Sequence, residues 1–180
     1  MTRKKKENKF LPILLIGGGA AALYFLSKNK SSGDTSPYPL LQNNNPLAII
    51  NTGISWQGLA DENPNPTWEA FQSMPFGFRA ALLNGKAYIN TIPNIDLIDF
   101  VSYWSLGGAP PYANNYANFV AQQTGRPLNF KMKQLFDNRD MGGLWEIYRA
   151  MAIFENSTAS TPVIDGLYDD FVQGFNLAFV

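Results

Sequence analysis

A carboxylate on the apolar face of a helix is where this sequence could do chemistry. In "GGLWEIYRAMAIFENS" the apolar positions Leu144, Ile147, Tyr148, Met151 and Phe154 make one helical face. Glu155 lies four residues after Met151 and seven after Tyr148, on that same face in the last turn. Burial and the negative end of the helix dipole both favour its protonated form. A general acid needs that state, because it must hold a proton near neutral pH. The bland alternative is a frayed helix end that leaves Glu155 in water.

Composition narrows what else could react. The chain has no histidine and no cysteine. That excludes Ser-His-Asp catalysis, HExxH zinc sites, thiolate nucleophiles and disulfides. Any acid–base chemistry falls to carboxylates, and the sequence calls for no cofactor and no metal. Asp96, Asp99, Glu146, Asp165, Asp169 and Asp170 fit solvated helix faces, and Asp61 and Glu62 fit a Pro/Asn loop. Glu69, in "TWEAF", is ambiguous because aromatics flank it.

Helices must position these groups. Pro75 suits a first helical turn, with Phe78, Leu82 and Ile89 following at helical intervals. Asn94 suits the N-cap of "IDLIDFVSYW", with Leu97, Val101 and Trp104 on one side. Asn114 or Asn115 opens "NYANFVAQQTG", which Gly125 closes. Thr161 and Pro162 start a last helix carrying Ile164, Leu167, Tyr168, Phe171, Phe175 and Phe179. No stretch alternates with a period of two, so the domain is expected to be mainly α, with a short hairpin around residues 47–60.

The organisation expected is a basic flank (1–9), a transmembrane helix (10–27), a flexible linker (28–45) and a globular α-helical domain (46–180). Phe10 to Ser27 is an uncharged stretch of 18 residues, roughly 27 Å as a helix, against about 30 Å of hydrocarbon. A signal peptide cleaved near Ala20–Ala22 is the alternative, but "LYFL" resumes the apolar run. Five basic residues before the span and two after it favour a cytoplasmic N-terminus. "KNKSSGDTSPYPLLQNNN" has linker composition. The formal net charge is zero, yet seven Lys/Arg and only Glu7 fall in residues 1–30; residues 31–180 hold seven basic and thirteen acidic residues, a net of about −6. An acidic domain is a poor match for nucleic acid, which needs clustered Lys/Arg.

"NNNPLAIINTGISWQGLA" (43–60) has neither clear period, and reads as a plug for a small core or the wall of a groove. In the groove reading Trp56, Asn45 and Asn156 line a binding wall beside Glu155. Trp56 filling the core is the bland reading.

The order Asn-Asn-Pro, "TGISWQGL", "GFRA", a helix ending in Trp, Pro-Pro, "NNYANFVAQQTG" and "ENS" resembles a group of small bacteriophage and prophage proteins. These are commonly labelled phage structural proteins, after a virion component of a membrane-containing phage. Asn44, Asn45, Pro46, Trp56, Gly58, Leu59, Phe71, Ser73, Gly77, Arg79, Trp104, Tyr116, Gly125, Glu155 and Asn156 match that pattern. Ser157 stands where the family has glycine, and Ala48 and Ile50 replace its Asn-x-Arg. The resemblance implies a virion location, at the internal membrane or at the host inner membrane before assembly, with a lipid bilayer and capsid proteins as partners. "LWEIYRAMAIFENS" also resembles the helix of lysozyme-like lytic transglycosylases that ends in their catalytic glutamate. That similarity implies a small lysozyme-like domain acting on peptidoglycan through Glu155. The non-enzymatic alternative is a bridge between viral membrane and capsid shell.

Overall fold

The computed structural model describes residues 38–63, 65–105 and 110–179. In chain order their elements are α1 (Pro39–Gln42), α2 (Met74–Thr91), α3 (Leu97–Trp104), α4 (Pro110–Thr124), α5 (Lys133–Asp137), α6 (Met141–Asn156), a 3-10 turn (Thr158–Ser160), α7 (Thr161–Asp165) and α8 (Tyr168–Phe179). The mainly helical class is as expected. The expected transmembrane helix requires correction: among the described residues no helix is long and apolar enough to cross a membrane, and 10–27, like the basic flank 1–9, lies outside them.

Helix α6 is the centre of the fold. Asp140 begins it, its carboxylate accepting from the Gly143 amide at 2.9 Å, which satisfies one of the orphan donors of the first turn. Leu144, Ile147, Tyr148 and Met151 are fully buried, as the apolar stripe requires. Helices α4, α5, α7 and α8 all pack on α6. Inside the contact zone an aromatic group forms from Tyr88, Phe100, Trp104 and Tyr148, with ring centroids 5.9–6.4 Å apart. Such edge-on and offset geometries suit the ring quadrupoles.

Helix α2 starts with Pro75 in its first turn and lies closely against α8. Gly174 permits that approach, since a Cβ there would sit 2.6 Å from the Pro75 carbonyl oxygen. The last amphipathic pattern is two helices, not one. The chain turns at Gly166 and Leu167, whose amides bond to Val163 and Ile164, and this turn leaves Tyr168 41 % exposed while Phe171 is buried. The cap of α3 also differs from expectation. Asp96 accepts from the Asp99 amide at 3.1 Å, while Asn94 takes a left-handed turn with φ 61°. Helix α4 begins at Pro110, before either expected asparagine. Gly125, at φ 68°, ends it as the sequence indicates.

The segment before α2 is irregular but well bonded. The expected hairpin within 47–60 does not form; both ends of that stretch pair with 67–72. Asn51 donates to Thr67 and Glu69 to Ile49, and on the other side Ala60 donates to Ala70 and Gln72 to Gly58, all at 2.9 Å. Leu47 and Ala48 are fully buried and Ile49 nearly so, so this part of the opening segment does plug the core. Of the expected linker 28–45, Tyr38 to Asn45 pack with the domain, Leu40 being buried against Ala48 and Trp68; 28–37 lie outside the described residues.

Candidate functional site

Helix α6 carries Glu155 into the interior at its last turn. The residue is 2 % exposed, and neither carboxyl oxygen has a hydrogen-bond partner among the described residues. Burial pushes its pKa up to about 8, an effect that a neighbouring Tyr116 hydroxyl partly opposes. That hydroxyl donates instead to the Met151 carbonyl at 3.3 Å. Burial, and secondarily the charge of Glu155, raises both the Tyr112 and the Tyr116 hydroxyls. These three groups therefore form one buried polar node, walled by Phe154, which stacks on Tyr116 at 4.0 Å. Chemically the node holds a carboxylic acid that stays protonated at neutral pH.

The two asparagines expected to bind a ligand are engaged with backbone. Asn156 donates to Pro46 and Ala152, both at 3.0 Å, and its Oδ1 is buried without a partner among the described residues. Asn45 donates to Ile49 and Glu69 at 2.9 Å each and accepts from the Ile49 amide at 2.8 Å. Glu155, Asn156 and, through Pro46, Asn45 are thus brought to one junction inside the protein. Trp56 is half-buried on the irregular loop and packs against the main core. Its Nε1 is buried without an acceptor among the described residues.

An opening does exist beside Glu69. A shallow depression of about 220 Å³ lies between the paired stretches and is lined by Asn51, Ile54, Ser55, Leu59 and Glu69 among others; Glu155 is not part of it. Glu69 is 4 % exposed, held by its backbone bonds to Ile49 and Asn45. No protein group within the described residues bonds its carboxyl, and burial raises its pKa. The sequence signal for this site is a carboxylate between Trp68 and Phe71. It is weak, because the same pattern fits a helix face, and only the pairing of 49–51 and 58–60 with 67–72 creates the depression.

No family model matches the chain. It is 30 % identical over 147 residues to Protein P5 of Pseudoalteromonas phage PM2, a match spanning 77 % of this chain and 81 % of that protein. The chain belongs to the bacteriophage protein family that includes Protein P5 of phage PM2.

Proposed function

We propose that this chain is a structural component of a bacteriophage particle, and that its helical domain makes protein contacts without cleaving glycan. Kinship with a phage protein supports the particle. The observation that carries the non-enzymatic part is the position of Glu155. A general acid must come within about 3 Å of the oxygen it protonates, and at 2 % exposure this carboxyl meets only its own protein. Its neutral state instead suits a core group that has no cation to pair with among the described residues.

The reading extends to location. Seven Lys/Arg against one acidic residue in 1–30 suit attraction to anionic lipid headgroups, each basic residue contributing about 1 kcal/mol near such a surface. The acidic domain then faces other virion proteins, as a bridge between an internal viral membrane and the capsid shell. The alternative activity, lytic cleavage of peptidoglycan through Glu155, is tested directly. Full-length protein is assayed for clearing of purified peptidoglycan across pH 4.5–8, beside Glu155→Gln. Equal turbidity in all samples and buffer is expected. Clearing by the wild type that Glu155→Gln loses at least 10²-fold would overturn the structural reading.

A further inference from the structure

We infer that the last turn of α6 is a proton-operated latch: it holds the opening segment against the helices while Glu155 is neutral and releases it when Glu155 ionises. Two consecutive residues of that turn carry three buried oxygens without a partner among the described residues, both carboxyl oxygens of Glu155 and Oδ1 of Asn156. A neutral carboxyl tolerates such a setting, whereas a carboxylate needs donors or water. The groups that face Glu155 supply no cation. From α4 they are the Tyr112 and Tyr116 hydroxyls, with the Tyr148 hydroxyl of α6 next to Tyr116. Tyr116 donates to the Met151 carbonyl at 3.3 Å, and turning it to Glu155 would orphan that carbonyl. Neither α4, nor residues 39–50, nor the 3-10 turn contains a charged residue. Charges on the neighbouring helices are engaged elsewhere. Arg79 donates to the Leu177 carbonyl, Asp165 pairs with Arg149, and Asp99 lies by Asp96 and Lys131. Helices α5 and α8 meet α6 nearer its start, at Gly143 and Trp145.

Geometry decides which part gives way. In the last turn the helix carbonyls add negative potential, and no further turn holds the backbone. The next residue, Asn156, is the fastening: it donates to the Pro46 carbonyl and, within the helix, to the Ala152 carbonyl. Unwinding that one turn carries Glu155 to water and breaks both bonds together. Ser157 assists, because its φ 76°, ψ 151° conformation relaxes once the turn opens. Opening stops there. Trp104 keeps the Leu47 carbonyl at 3.1 Å, and Asn45 keeps its bonds to Ile49 and Glu69. Opening of one helix end needs far less free energy than unfolding of the domain. Burial raises the Glu155 pKa to about 8, so release follows a rise in pH through that value and reclosure a fall. The latch belongs to the fold and stands apart from the role proposed in a particle.

The test is a pH titration of the full-length, ¹⁵N-labelled chain from pH 6 to 9.5, read at the side-chain amide of Asn156. The side-chain amide of Asn45 is the internal reference, and the indole N–H of Trp104 reports that the domain stays folded. One transition near pH 8 is expected at Asn156, with at least ten-fold faster hydrogen exchange relative to Asn45 above it, while the Trp104 signal holds. Glu155→Gln should show no transition and keep Asn156 protected throughout. Glu155→Met, of similar length and also unable to ionise, provides the same control if the amide variant does not fold. Protection of Asn156 in the wild type up to pH 9.5 would overturn the latch. So would an equal transition in the variants that cannot ionise, or loss of the Trp104 signal in step with Asn156, which would mean unfolding of the whole domain.

Discussion

The amide nitrogen of Asn156 donates to the carbonyl of Pro46 at 3.0 Å, joining positions 110 residues apart. One end of α6 is thereby bonded to the segment that opens the domain. Trp104 repeats the device from α3, its indole nitrogen donating to the Leu47 carbonyl at 3.1 Å. Two consecutive peptide carbonyls of an irregular segment are thus satisfied by side chains from two helices. Buried backbone acceptors need such partners, and the segment has few of its own because it forms neither helix nor ladder.

Removing one of these donors orphans a buried carbonyl, so Asn156→Ala should lower stability by about 1–3 kcal/mol. Asn45→Ala should cost at least as much, since it ends three bonds. Urea unfolding with unchanged m-values measures both. A loss below about 0.5 kcal/mol for either would mean that water replaces these bonds.

Glu155 links stability to pH. Its folded pKa of about 8 lies above the ordinary 4.5, so the folded state holds a proton that the unfolded state releases between those values. The contribution is intact below about pH 4.5, declines as pH rises and is fully lost above about pH 8. At pH 7 the loss is roughly 3 kcal/mol. Glu155→Gln should therefore gain on the wild type as pH rises from 5 to 8, with little difference at pH 5. A constant difference across that range would show that Glu155 ionises normally.

Ser157 adopts φ 76° and ψ 151° at the end of α6, a region almost reserved for glycine. Its hydroxyl recovers little, accepting from the Ala159 amide at 3.3 Å. Ser157→Gly should stabilise by about 1 kcal/mol, seen as a rise in Tm of several degrees. A fall in Tm would mean that the hydroxyl bond outweighs the backbone strain.

Two glycines separate space from conformation. At Gly77 a Cβ would lie 1.9 Å from the Asn44 carbonyl oxygen, a backbone atom that cannot move aside without shifting the plug. Gly77→Ala should cost about 3 kcal/mol. Gly53 has open space but φ 76°, so Gly53→Ala should cost only about 1 kcal/mol. Thermal unfolding of the pair checks the order, and a reversed order would contradict the packing described here.

The helices were legible where the period was strong. The stripe of α6 and the closing Gly125 follow from spacing; the four-residue step from Met151 puts Glu155 on the apolar face, and the helix running to Asn156 decides for burial over a frayed end. What local pattern cannot specify is long-range pairing. The bonds of 49–51 and 58–60 to 67–72 depend on backbone groups that every residue carries, so nothing in the side-chain order marks them. Asn45 and Asn156 illustrate the consequence: an amide suited to a sugar is equally suited to a peptide carbonyl, and here the carbonyls of Ile49, Glu69, Pro46 and Ala152 take it. The break between α7 and α8 was hidden because Ile164, Phe171 and Phe175 keep helical spacing across it.

The central claim, that this chain is a structural part of a phage particle, is tested most directly by peptide mass spectrometry of gradient-purified particles. The account predicts that the chain co-sediments with the major capsid protein in a constant ratio across the particle peak, and that the ratio survives a high-salt wash. Recovery of the chain only from the cleared lysate, with none in the particle peak, would contradict it.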